Sequence, residues 1–358
     1  MSLFSIEELM VSSALLQVER LFLLFLPRFY SKFTFLFKKF IDCLAVMVYN
    51  TLAKATILPG ILPNEKGNTL MNNFVIFTDS ACDIYPDLLK QWGVGCVSLE
   101  FRFNHIDRDF KNEDMPIGEF YQNMRDGHIA KTNAVNSETF REAFEKVLSE
   151  GKDLLYLGFS SGLSTTFQQG KLAAEELSEK YPDSKIVAID TLCASAGEGL
   201  LVKLALDKKN AGAPLEETAA YVTELIPKLA HWFTVEDLVY LKRGGRVSPA
   251  VALVGGMLQI KPVMHVDDEG HLTKIGTVRG RKASLAALAD KLIETAEDPA
   301  NGTFFISHGD CAEDAQTLCD MIVARGGNKV ELITHVGTVI GAHSGPGTMA
   351  LFFVAKQR

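Results

Sequence analysis

The chain has 358 residues, of which 47% are hydrophobic and 22% are charged, and its formal net charge is −8. This composition is typical of a soluble globular protein, and the length favours about two domains. The acidic balance argues against nonspecific nucleic-acid binding, which needs clustered Lys and Arg. The six cysteines form no Cys-x-x-Cys pair, which favours reduced thiols in a cytoplasmic protein over disulfides or a zinc site.

The first seventy residues differ in character from the rest of the chain. They contain an apolar run at residues 21–26, followed by phenylalanines interleaved with basic residues at 28–40. Pro27 and the basic residues interrupt the apolar runs before the roughly 20 residues of a membrane span, so no stable membrane insertion is expected. One interpretation is an interfacial membrane anchor. The preferred one is an extension foreign to the fold, with translation starting at Met71, because the first predicted strand begins directly after that residue.

From residue 71 to residue 228, strand and helix signals alternate. The predicted strands are 74–77, 94–99, 154–159 and 185–189. The predicted helices are 83–92, 138–148, 165–180, 194–208 and 214–229. This alternation predicts a parallel, doubly wound α/β domain.

Residues 229–358 show a different order of elements. A hairpin is predicted at 260–266 and 271–279, and it is followed by helices at 284–295 and 313–325 and by strands at 303–307, 329–335 and 349–354. Strands grouped in this way predict an α+β C-terminal domain, with a boundary near residues 227–231.

The sharpest single motif is Gly158-x-Ser160-x-Gly162, which lies between a predicted strand and a predicted helix. In this context the motif is typical of the nucleophile elbow of a serine esterase or lipase. The acid and base of such a triad would come from later residues, namely Asp237 or Asp267 with His308, His335 or His343. Two other interpretations stay open. The serines at 160, 161 and 164 are suitable hydrogen-bond donors to an anion, and they are equally suitable as helix N-caps.

Beyond single motifs, a series of sequence blocks occurs in the order seen in the DegV family. The blocks are Thr78–Asp83, Lys131–Asn133, Phe159–Gln168, Ile189–Ser195, Leu241–Ser248, Gln259–Val263 and His343–Gly347. The chain resembles this family over nearly all of residues 73–358 and not in residues 1–70. The resemblance implies a two-domain fold with a fatty acid in a tunnel between the domains. It also implies a bacterial carrier without turnover of its own, which presents the acyl carboxylate to a separate ATP-dependent fatty acid kinase for phospholipid synthesis.

The resemblance places Thr132, Ser160 and Ser161 at the carboxylate of a long-chain fatty acid, which needs hydrogen-bond donors rather than a nucleophile. In this chain Thr132 precedes Asn133-Ala-Val-Asn136, whereas the family usually shows Ser-Gln-Pro-Ser. From the residues alone, Thr132 also fits a simple turn hydroxyl. The resemblance implies no catalytic residue, cofactor or metal.

Arg243, Arg246 and His343 are predicted to face the kinase or the transferred phosphoryl group, because guanidinium forks suit phosphate oxygens. The alternatives are Arg residues at a helix C-terminus and a structural histidine. These three residues are expected to act after lipid binding. The loop residues Asp79, Ser80 and Asp190 are predicted to be architectural, accepting N–H bonds from their own turns.

Overall fold

The computed structural model describes residues 73–248 and 259–358. The predicted extension, residues 1–70, and the proposed start at Met71 lie outside the described residues. Within the described part, no helix is both long enough and apolar enough to cross a membrane. The domain boundary predicted near residue 228 stays a prediction.

The strands and helices are numbered here in chain order. The strands are β1 Phe74–Asp79, β2 Gly95–Val97, β3 Glu100–Phe103, β4 Phe110–Lys111, β5 Ala130–Asn133, β6 Asp153–Gly158, β7 Ile186–Asp190, β8 Leu229–Thr234, β9 Ile260–Val266, β10 Leu272–Arg279, β11 Phe304–His308, β12 Leu332–His335 and β13 Met349–Val354. The helices are α1 Pro86–Trp92, α2 Ile117–Arg125, α3 Ser137–Leu148, α4 Thr166–Lys180, α5 Ala196–Asn210, α6 Leu215–Leu225, α7 Val239–Arg243, α8 Arg281–Thr295, α9 Ala312–Ala324 and α10 Thr338–Ser344.

The first half of the fold is built on a parallel sheet with the strand order β2-β1-β6-β7. Its central strands are buried on both faces, because successive side chains point in opposite directions and helices cover both sides. Tyr156 packs with Phe140 and Phe144 of α3 on one face. Leu155 on the other face belongs to the core that also contains Leu200 of α5. The predicted parallel α/β arrangement is confirmed.

The second half is a mixed sheet with the order β10-β9-β8-β13-β11-β12, in which only the β11–β12 pair is parallel. One face packs against α8 and α9, for example through Leu288 and Ile322 around Phe304. The opposite face contributes Phe233 and Phe352 to the core shared with the first sheet. The predicted α+β character is confirmed, and both ends of strand β13 match the prediction.

Several parts of the fold differ from the sequence prediction, two of them near the functional site or the domain boundary. The helix predicted at 214–229 ends at Leu225, because Pro227 cannot continue it, and Leu229–Thr234 is a fully buried strand instead. A small antiparallel sheet, β4-β3-β5, was not predicted at all. Strands β3 and β5 have four residues each and β4 has two, too few to show a clear period. This sheet matters for function because β5 carries Thr132.

Candidate functional site

A cavity of about 510 Å³ lies at the junction of the three sheets. Residues that follow β6 and β7 line one side, and residues of β8, β9 and β13 line the other. Large apolar side chains make up much of its wall, among them Phe159, Phe233, Leu241, Val266, Leu272 and Phe352. A cavity of this size and polarity suits a small, mostly apolar ligand.

Four of the predicted site residues, Thr132, Ser161, Arg246 and His343, line this cavity together. They come from β5, the turn after β6, the segment after α7, and the last turn of α10. The fold therefore gathers polar groups from four separate chain segments at one apolar space.

The Thr132 hydroxyl and the His343 imidazole form a polar contact at the cavity wall. Thr132 Oγ1 lies 2.8 Å from His343 Nε2. Burial, together with the nearby positive charge of Arg246, lowers the pKa of His343 to about 4. The imidazole is therefore neutral near pH 7 and carries one proton.

The other ring nitrogen of His343, Nδ1, has no hydrogen-bond partner among the described residues. It packs against the Cα of Gly244, where a Cβ atom would overlap it. Because an unpaired buried acceptor is better tolerated than an unpaired N–H, we assign the proton to Nε2. The Nε2–H group then donates to Thr132 Oγ1, and the Thr132 O–H is left to donate to a ligand.

Arg246 and Arg243 take different positions although they belong to one motif. Arg246 is half-buried at the cavity wall, where its Nε–H donates to the Leu163 carbonyl at 3.1 Å and its guanidinium also bonds the Gly244 carbonyl. Burial lowers the pKa of Arg246 from its usual range. Arg243 is exposed, lies outside the cavity lining, and places its guanidinium 5.6 Å from the centre of the Tyr240 ring.

Ser160 is fully buried and does not line the cavity. Its hydroxyl donates to the Gly270 carbonyl at 2.9 Å and accepts the Gly162 N–H at 3.2 Å. An esterase elbow requires an exposed hydroxyl paired with a histidine.

The three candidate histidines of a triad have other hydrogen-bond partners. Nδ1 of His308 accepts the Cys311 N–H, Nδ1 of His335 contacts the Tyr85 hydroxyl, and His343 contacts Thr132. Among the hydrogen bonds of residues 73–248 and 259–358, Ser160 has no histidine partner. The described geometry thus lacks the nucleophile–base pair that the esterase hypothesis needs.

Asp190 positions Ser161 at the cavity. Its Oδ1 accepts the N–H groups of Ser161 at 3.2 Å and Leu192 at 3.1 Å, which ties the turn after β6 to the turn after β7. The backbone of Ser161 is thereby held beside the cavity, which Ser161 lines.

Asp79 and Ser80 hold the turn after β1. The Asp79 carboxylate accepts N–H bonds from Ala81 and Phe159 and an O–H bond from Tyr156, all at 3.0 to 3.1 Å. Burial raises the pKa of Asp79 to about 6 despite these bonds. Ser80 Oγ accepts the Leu99 N–H at 2.9 Å.

Sequence reasoning missed several polar residues of the cavity, including Ser195, His231, Ser344 and Thr348. His231 is buried, bonds the Leu229 carbonyl through Nδ1 and accepts the Ala194 N–H at Nε2. Burial holds its pKa well below its usual value. A signal existed for Ser195 and Ser344, because each lies inside one of the sequence blocks that resemble the DegV family. In the part of the chain that the structure describes, no group of three or more His, Cys, Asp or Glu residues is placed to hold a metal ion.

Comparisons with known proteins agree on one family. A sequence model of the DegV family matches residues 73–356. A DegV domain-containing protein of Clostridium perfringens is 42% identical over 289 residues, which are 80% of this chain and 99% of that protein.

Two solved structures show the same fold. A fatty-acid-binding DegV family protein from Thermus thermophilus has a TM-score of 0.72 and 28% identity, over 79% of this chain and 99% of its own. A DegV lipid-binding protein from Thermotoga maritima has a TM-score of 0.70 and 28% identity, over 80% of this chain and 99% of its own.

Proposed function

The chain belongs to the DegV family, and on that premise we propose that it binds a long-chain fatty acid in the cavity of about 510 Å³. The observation that carries this proposal is the placement of the Thr132–His343 hydrogen bond at the wall of an otherwise largely apolar cavity. A fatty acid has the matching chemistry, since it combines one carboxylate with a long hydrocarbon tail.

The carboxylate is proposed to lie against Thr132 and Ser161. Neutral His343 donates to Thr132 Oγ1, so the Thr132 proton is available to a carboxylate oxygen. Ser161 supplies a second hydroxyl from a turn that Asp190 holds in place. From the sequence, Arg246 is expected to act after lipid binding, but because Arg246 lines the cavity we propose that it also acts in binding. Its guanidinium supplies a positive charge, which offsets the cost of burying the carboxylate. Because the Ser160 hydroxyl is already bonded to Gly270, we assign Ser160 to supporting this turn.

The hydrocarbon tail is proposed to fill the apolar part of the cavity, beside Phe233, Val266 and Phe352. Each buried CH₂ group contributes about 0.8 kcal/mol. Most of the affinity therefore comes from the tail, and the polar groups fix its orientation.

We further propose that a separate ATP-dependent kinase acts on the bound carboxylate. A carboxylate oxygen attacks the γ-phosphorus of ATP held by the kinase, the bond to the β-phosphate oxygen breaks, and acyl phosphate and ADP result. In this scheme the chain supplies no nucleophile and no metal. Exposed Arg243 is available to the kinase, whereas Arg246 and His343 meet the reacting group from inside the cavity.

The test is equilibrium binding of radiolabelled hexadecanoate to the full chain stripped of lipid. Wild-type protein should bind about one hexadecanoate per chain. Thr132→Val removes the hydroxyl while keeping the shape, and it should weaken binding by roughly 1–3 kcal/mol, the cost of leaving a charged acceptor short of one donor. Wild-type protein that binds no hexadecanoate would contradict the proposal.

A further inference from the structure

Ser344 is a buried residue of the cavity wall, and its hydroxyl group has no role in the arrangement described so far. It is the last residue of α10, it is 5% exposed, and it lines the cavity. Its Oγ has no hydrogen-bond partner among the described residues. Serines at such helix positions commonly bond the carbonyl four residues earlier, and here that bond to Ile340 is not made.

Two other hydroxyl groups of the cavity already donate to groups of the protein. The Thr348 hydroxyl donates to the Gly345 carbonyl at 2.8 Å. The Ser195 hydroxyl bonds the Asp83 carboxylate at 2.5 Å. Ser344 differs from both because its proton is uncommitted.

Ser344 lies at the end of α10, where this segment contributes polar residues to the cavity lining. Val336, Val339 and Ile340 line the cavity before and along the helix, and His343 and Ser344 line it at the last turn. The lining contributed by this segment thus changes from apolar to polar towards the helix end. Ser344 is adjacent in sequence to His343, whose Nε2 contacts Thr132.

We propose that the Ser344 hydroxyl donates a hydrogen bond to the carboxylate of the bound fatty acid, as a donor additional to Thr132 and Ser161. This inference rests on the proposed function. A buried donor without an acceptor is unfavourable in the empty protein, and a carboxylate oxygen satisfies it on binding. Ser344 therefore favours an ionised headgroup over a neutral one of the same chain length.

The experiment compares hexadecanoate with hexadecanol, which has the same tail and no carboxylate, on the lipid-stripped full chain. Ser344→Ala should weaken hexadecanoate binding roughly tenfold or more, the effect of losing one hydrogen bond to a charged group, and should change hexadecanol binding less than about twofold. Ser344→Thr keeps the hydroxyl and should restore the preference for hexadecanoate.

Thr234→Val is the matched control. Thr234 is also fully buried with an unpartnered hydroxyl, but it does not line the cavity. This variant should leave the affinity for both ligands unchanged. The melting temperature of lipid-free Ser344→Ala should equal or exceed that of wild type, because the substitution removes an unpaired buried polar group.

Four outcomes would overturn the inference. Equal loss of affinity for both ligands, or a lower melting temperature without lipid, would show that Ser344 only packs. Unchanged hexadecanoate binding would show that the hydroxyl does not contact the headgroup, while leaving fatty-acid binding itself in place. Failure of the wild type to bind hexadecanoate would overturn both the inference and the proposed function.

Discussion

The hydroxyl of Ser160 donates a 2.9 Å hydrogen bond to the carbonyl of Gly270, in the turn between β9 and β10. The two segments of the chain approach closely here, since a Cβ at Gly162 would lie 2.7 Å from the Glu269 carbonyl oxygen. The Gly-x-Ser-x-Gly motif therefore joins a turn of the parallel sheet to a hairpin of the mixed sheet. Val266 and Leu272, which flank that hairpin turn, line the cavity.

This contact predicts different effects for two neighbouring serines. Ser160→Ala should lower the free energy of unfolding by about 0.5–1.5 kcal/mol, because it removes the bond to the hairpin turn. Ser161→Ala should instead weaken hexadecanoate retention by about 1–3 kcal/mol with little change in stability. Urea unfolding and lipid binding of the two variants, measured side by side, check both statements.

The wild-type protein and the Ser160→Ala variant also test the esterase hypothesis. Wild-type protein should hydrolyse no p-nitrophenyl ester, and a fluorophosphonate should not label Ser160, since that hydroxyl is buried and lacks a histidine partner. Labelling at Ser160 that disappears in Ser160→Ala would support the esterase instead.

A substitution at Gly244 should change how the cavity binds the carboxylate of the fatty acid. A Cβ at this position would overlap His343 Nδ1, so Gly244→Ala should displace the imidazole and break its contact with Thr132. We expect weaker hexadecanoate binding, by about 1 kcal/mol or more, and little change for hexadecanol. Gly118→Ala is the control, because a Cβ there meets nothing within 4 Å. Equal effects of the two substitutions would argue against a role for the imidazole.

Arg243 is expected to serve the kinase and not the lipid. Its guanidinium is exposed beside Tyr240 and outside the cavity lining. Arg243→Ala should therefore retain hexadecanoate at the wild-type level while acyl-phosphate formation with the partner kinase falls. The reverse result, normal phosphorylation with lost lipid, would contradict this assignment.

Asp83 predicts an unusual pH dependence of stability. Its buried carboxyl group accepts bonds from Ser195 Oγ and the Gly337 N–H, and burial raises its pKa to about 7. The folded protein therefore holds a proton that the unfolded chain releases above about pH 4. The contribution of this bound proton to the free energy of unfolding is fully present below about pH 4, and it is lost as the pH rises through about 7.

The variant Asp83→Asn removes this titration and keeps a similar shape. Its free energy of unfolding relative to wild type should rise between about pH 4 and about pH 7, by an amount on the order of 4 kcal/mol. Denaturant unfolding across this range measures the difference. A difference that stays constant with pH would show that Asp83 titrates normally.

The sequence predicted regular, strongly patterned elements well and short ones poorly. Helix Ser137–Leu148 and strand Met349–Val354 were found within one residue, because each has a clear apolar pattern. The small sheet of β3, β4 and β5 was missed, as was α10, whose seven residues include a glycine at Gly341. Elements of this length are stabilised by tertiary packing rather than by local propensity.

Those short elements carry Thr132 and His343. Thr132 and His343 are 211 residues apart, so no local pattern indicates their contact. Both residues came from a family resemblance, and their pairing came from the structure. Ser344 was overlooked because an unpaired hydroxyl is recognisable only when its surroundings are known.

The most direct test of the central claim is the lipid that the full chain carries when it is purified from bacteria. Denatured protein should release a long-chain fatty acid in near-stoichiometric amount, identified by mass spectrometry, and Thr132→Val should carry less. Protein that releases no fatty acid, and takes up none when hexadecanoate is supplied, would contradict the account.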